Sequence, residues 1–149
     1  MATQLDDTIG KQAIAATVAR LGEFPDVEYE QGDGRLSVKG SPDGFDIVVR
    51  DEGHGATIEA GHWHDHFSEP DDVAKYVVWL LSPRMRIQTT YRGKHAVKSV
   101  VESRLEDGKW IPGSTFGTLF PLFGKKRIEY LSNTVVGAEE VPVDSPSQK

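Results

Sequence analysis

Apolar residues recur along the first part of the chain at helical spacing. Ile9, Ile14, Val18 and Leu21 share a face that Ala13, Ala16 and Ala19 fill out, which predicts a helix from about Asp7 to Gly22. Asp6 or Asp7 is placed to cap its start, and Gly22 and Pro25 to end it. The period then changes to two. Val27–Gln31, Arg35–Lys39, Phe45–Arg50 and Gly55–Ala60 read as short strands, separated by Gly32-Asp33-Gly34, Ser41-Pro42-Asp43-Gly44 and Asp51-Glu52-Gly53. In the second of these turns Pro presets φ, Asp bonds back to the backbone and Gly supplies positive φ. Such short loops cannot make parallel crossovers, so the strands form an antiparallel meander.

A second helix is announced by Ser68-Glu69-Pro70-Asp71. Ser68 is a capping residue, Pro70 suits a first turn, and Asp71 can complete a capping box. The body, Asp72–Leu81, is so rich in apolar residues that it must be buried on more than one side, and Ser82-Pro83 stops it. Alternation then resumes in Arg84–Tyr91 and Ala96–Leu105, with further extended segments near Trp110, Phe116–Phe120 and Arg127–Leu131. The expected fold is α+β: two helices on one largely antiparallel sheet of about seven or eight strands, in the order α-β4-α-β3/4. That order also suits a duplicated α-plus-meander unit. A single domain covers residues 1–137, and the acidic, Pro/Ser-rich stretch 138–149 reads as a disordered tail.

Composition narrows the chemistry. The 149 residues contain no Cys, which excludes disulfides, thiolate nucleophiles, Cys-bound zinc and iron–sulfur clusters, and agrees with a cytoplasmic address. No run reaches the roughly 20 apolar residues that span a bilayer, and the first residues show no secretory pattern, so no membrane partner is expected. A formal net charge of -6 argues against nucleic acid and suits a basic protein partner. No Gly-x-Gly-x-x-Gly, P-loop or nucleophile-elbow spacing occurs. Gly113-Ser114-Thr115-Phe116-Gly117 matches the last only in letters, and Lys125-Lys126-Arg127 is the single dense basic run.

The most unusual run is Gly61-His62-Trp63-His64-Asp65-His66-Phe67. On a continuing strand His62, His64 and His66 share one face, and imidazoles two apart can reach one divalent ion such as Zn. A further ligand would come from His54, His95, Glu59 or Glu69, and a bound ion would activate water, with Asp65 or Glu69 as base. The competing reading makes Trp63 and Phe67 apolar anchors and gives the imidazoles ordinary hydrogen bonds. His64-Asp65-His66 is one residue short of the His-x-His-x-Asp-His of metallo-β-lactamase-like hydrolases, and a helix start at Glu69 does not suit a cupin barrel. Trp63, Phe67, Phe120 and Phe123 are the aromatic candidates for contact with a partner. A pocket between sheet and helices would be lined by Phe45, Tyr76 and Trp79.

Trp63-His64-Asp65-His66-Phe67, Tyr91-Arg92-Gly93, Trp110, Thr115–Phe123 and Lys126–Asn133 together resemble an uncharacterised family of small bacterial proteins with a Trp-His-acidic-His-Phe motif. The resemblance covers mainly the chain after Gly61. It implies a single cytosolic α+β domain, favours His64 and His66 over His62, and brings no reaction or cofactor. With no nucleophile, acid/base pair or cofactor fingerprint, the sequence reads as a non-enzymatic protein-binding module, of which an immunity-like protein facing a basic toxin is one form. A metal-binding protein or metal-dependent hydrolase built on His62, His64 and His66 is the alternative.

Overall fold

The computed structural model describes residues 8–117 and 123–141. Helix α1 spans Ile9–Leu21, and its cap is Thr8, whose side chain accepts the Lys11 N–H at 3.0 Å. The cap thus falls one residue after the expected Asp6 or Asp7, which lie outside the described residues. Thr8 is fixed because its hydroxyl also donates to Asp51 Oδ1 at 2.8 Å, the oxygen that accepts the Gly53 N–H at 2.9 Å. This knot brings α1 so close to the Asp51 turn that a Cβ on Gly10 would collide with Asp51. Only glycine fits there.

Five strands follow: β1 (Tyr29–Gly32), β2 (Arg35–Val38), β3 (Ile47–Asp51), β4 (Ala56–Ala60) and β5 (Trp63–Phe67). They form an antiparallel meander in the order β1-β2-β3-β4-β5, sheet A. Its register lines up apolar rows on the inner face, Val38–Ile47–Ala60–Trp63 and Leu36–Val49–Ile58, the second ending at Asp65. Helix α2 (Pro70–Leu80) then crosses this inner face. Pro70 occupies the first turn as expected, but the cap is Glu69 with no side-chain bond, so the expected Ser68 cap and its box do not form. Asp71 and Asp72 at the positive end of the helix dipole do the electrostatic part of that work. α1 packs beside α2 and over β3 and β4, so sheet A is covered by both helices.

The chain then builds a second sheet rather than extending the first. Strands β6 (Met85–Arg92), β7 (His95–Arg104), β8 (Trp110–Gly117) and β9 (Lys126–Leu131) are antiparallel in the order β8-β7-β6-β9, sheet B. The fold is α+β as expected, with nine strands in two sheets where one sheet of seven or eight was expected. The histidine run supplies the additional strand. Both halves run helix then antiparallel sheet, but sheet A is a plain meander whereas β9 returns to pair with β6, so they differ in topology. Sheet B turns Met85, Ile87, Thr89, Ser99 and Val101 inward and meets sheet A where β7 and β8 cross β5.

One buried side chain joins the pieces. Asn133, just past β9, accepts the N–H groups of Ser41 and Phe45 at 2.9 and 3.1 Å. Its amide nitrogen donates to the carbonyls of Phe45 and Leu80 at 3.0 and 3.1 Å. The turn before β3, the end of α2 and the strand exit of sheet B are thereby held at one point. Past the boundary expected at residue 137, a 3-10 turn (Ala138–Glu140) with Glu139 and Glu140 exposed leads to Val141, which is buried in the core cluster with Val136. Among the described residues no helix is long and apolar enough to cross a membrane.

Asn133→Ala leaves buried N–H and carbonyl groups unmatched and is expected to lower unfolding free energy by about 3–5 kcal/mol, on the scale of 1–3 kcal/mol per orphaned group. Asn133→Asp keeps the acceptor but turns a carboxylate toward two carbonyls, so it should fail to restore stability. Urea unfolding of both variants checks this.

Candidate functional site

The run singled out in the sequence divides at Gly61. Ala60 pairs with Trp63, so Gly61 and His62 form a two-residue hairpin turn, and Gly61 takes φ 59°, as primed turns require. His62 therefore sits at the tip, exposed, with its ring edge-on to Tyr91 at 5.9 Å. It does not share the strand face expected for it. His64 and His66 do share the outer face of sheet A, with ring centroids 6.4 Å apart.

Each of these rings has a separate neighbour. His66 Nδ1 and Thr57 Oγ1 share a hydrogen bond of 2.7 Å across the β4–β5 ladder. His64 packs on Phe116 of β8 with centroids 4.1 Å apart. Glu59 lies directly opposite His64 in the register, but its carboxylate accepts from Arg50 Nε at 3.0 Å. Among the described residues no three His, Asp or Glu side chains gather closely enough to hold a metal ion.

On the inner face of β5, Trp63 is buried and stacks on Tyr76 of α2, centroids 5.7 Å apart and planes 10° apart. Phe67 meets the same ring at 4.9 Å. These two aromatics are thus spent on the core, where Phe45, Tyr76 and Trp79 are likewise buried packing residues. Phe123 is 82% exposed, and Phe120 lies outside the described residues. Between Trp63 and Phe67, Asp65 ends an otherwise apolar row. Its Oδ2 accepts the Ser114 hydroxyl at 2.6 Å and its Oδ1 the His66 N–H at 2.8 Å. Ser114, in β8, ties sheet B to sheet A through this bond. Burial, and secondarily the Asp65 carboxylate, hold the Tyr76 hydroxyl well above the ordinary tyrosine pKa.

The outer face of sheet A also carries an open groove of about 570 Å³ beside the edge strand β1. Glu28, Glu30 and Asp46 line it with Arg35 and Lys39, and Tyr29 lies 40% exposed within it. None of these residues forms a recognisable motif. The signal that could have found them is the distribution of charge. Residues 1–83 carry sixteen Asp and Glu against six Lys and Arg, whereas residues 84–131 carry four against ten. The net charge of -6 is the sum of a strongly acidic half, a basic one and a short acidic end. Compared with known proteins, the chain matches no family model, no curated protein and no solved structure.

Removing the Asp65 carboxylate by Asp65→Ala should cost about 1–3 kcal/mol, and a double-mutant cycle with Ser114→Ala should return a coupling of the order of 1 kcal/mol or more. Tyr76 gives a pH dependence. Its pKa is raised in the folded chain above the value of about 10 it has when unfolded. Its contribution is therefore whole below pH 10 and is lost as pH rises further, at up to about 1.4 kcal/mol per pH unit. The difference between wild type and Tyr76→Phe in urea unfolding from pH 8 to 11 isolates that slope.

Proposed function

We propose that this protein is an interaction module that takes a basic, extended segment of another protein along the acidic groove of sheet A. The observation that carries this reading is the groove itself, where three carboxylates outnumber Arg35 and Lys39 beside an edge strand with an exposed tyrosine, and Glu28 is only loosely paired with Lys39 at 3.9 Å. All four residues of β1 are exposed, and β1 has sheet A on one side only. A segment added to that edge would gain main-chain hydrogen bonds, while Glu28, Glu30 and Asp46 would select Lys and Arg at alternate positions. The acidic half around it would speed encounter with a basic partner. Neutralising a basic toxin, as an immunity protein does, is one use of such a surface.

The experiment compares capture by wild type and by Glu28→Lys/Glu30→Lys from a lysate of the native host. A basic protein retained by the wild type, and associating about tenfold more slowly with the charge-reversed variant, supports the reading. Capture that the reversal leaves unchanged, or a retained partner that is itself acidic, overturns it.

A further inference from the structure

The outward face of sheet B has the opposite character to sheet A. Its register places Arg86, Gln88, Thr90 and Arg92 on one side of β6, matched by Tyr130, Ile128 and Lys126 on β9 and by Glu102, the buried Val100 and Lys98 on β7. Trp110 of β8 lies opposite Arg104 on the same side. This is the face turned away from the core, because the alternate positions Met85, Ile87, Thr89, Ser99 and Val101 are the buried ones.

Its single carboxylate is already used. Glu102 accepts Arg86 Nε at 2.6 Å. Arg86 in turn lies between the rings of Trp110 and Tyr130, at 4.1 and 4.2 Å from their centroids. The Arg86 guanidinium is thus held by side chains from three other strands, and each ring has one face on the cation. Tyr130 is still 50% exposed and Ile128 44%. Arg92, Lys98, Arg104 and Lys126 take part in none of the ion pairs of the described residues.

An antiparallel face with aromatic rings held on a cation, further cations outside any ion pair and, among the described residues, no free carboxylate is the chemistry of a platform for an unpaired polyanion that carries flat bases. Phosphates meet the lysines and arginines, and bases stack on rings whose orientation is already set. We infer that the outward face of sheet B binds single-stranded nucleic acid. An acidic protein would use the cations but would have little need of the held rings, and a duplex would hide its bases from them. The net charge of the whole chain conceals this face, because its cations are outnumbered by carboxylates elsewhere in the sequence.

The test is fluorescence anisotropy of the full chain with labelled 12-nucleotide single-stranded DNA and RNA of mixed sequence. Binding at 50 mM salt should weaken about 50-fold by 200 mM, the slope expected when roughly four phosphates are neutralised on a single strand. Tyr130→Ala should weaken binding at least about fivefold and Tyr130→Phe should keep it, since stacking needs the ring and not the hydroxyl. Lys98→Glu/Lys126→Glu should abolish binding while circular dichroism shows the fold intact. No binding at 50 mM salt overturns the inference. So does equal competition by polyglutamate with no effect of Tyr130→Ala, which would mark an acidic protein as the occupant. Sedimentation showing salt-sensitive self-association that Lys98→Glu/Lys126→Glu removes would make the occupant a second copy of this chain, and also overturns it.

Discussion

Two sheets that share no strand need something other than a hydrogen-bonded ladder to hold them in register, and the chief of the ties that do so here is a buried carboxamide. Asn133 offers one acceptor to two N–H groups and two donors to two carbonyls, all from segments distant in sequence. A buried amide satisfied on every side is directional in a way that apolar packing is not. It fixes how far the end of α2 stands from the turn before β3, and so where β6 begins. Gly44 is part of the same device, since a Cβ there would run into the Asn133 side chain. The Asp65–Ser114 bond is the second tie, on the edge strand β5 of sheet A. Between them the position of sheet B is set at two points.

Much of this fold is legible in the sequence. Both helices and the β1 to β4 meander follow from periodicity and turn chemistry to within about two residues, the margin usual for element ends. What escaped is instructive. Gly61 reads as the start of a histidine motif, yet its positive φ makes it the corner of a hairpin, and that corner separates His62 from His64 and His66. A period-2 pattern shows which side chains share a face only once the ends of the strand are known. The return of β9 to β6 is not visible either, because alternation says that a segment is a strand and not which strand it joins. Ser68 has the right chemistry for a cap, but Glu69 occupies that place.

The candidate site was legible only in part. Three histidines in five residues invite a metal, but the chain spends them on a threonine hydroxyl, a phenylalanine ring and a tyrosine edge. Two of these contacts join the β5 end of sheet A to sheet B, through Phe116 of β8 and Tyr91 of β6. The residues of the sheet A groove belong to no motif and are brought together by register. Summed charge hid them as well, since an acidic half and a basic one partly cancel.

The return of β9 to β6 also has a consequence for the order of assembly. Sheet A pairs only neighbouring strands across short turns, so residues 29–67 can close while later residues are still being made. Sheet B cannot do so, because its β6 lacks a partner on one edge until the chain has reached Leu131. Asn133 arrives two residues later, after every segment it must join is already in place. A ribosome releasing this chain thus exposes the unpaired edge of β6, Met85–Arg92, throughout the synthesis of about forty residues, a few seconds at ordinary elongation rates. Arg86 and Arg92 lie on that strand, and their charge discourages two nascent chains from joining edge to edge.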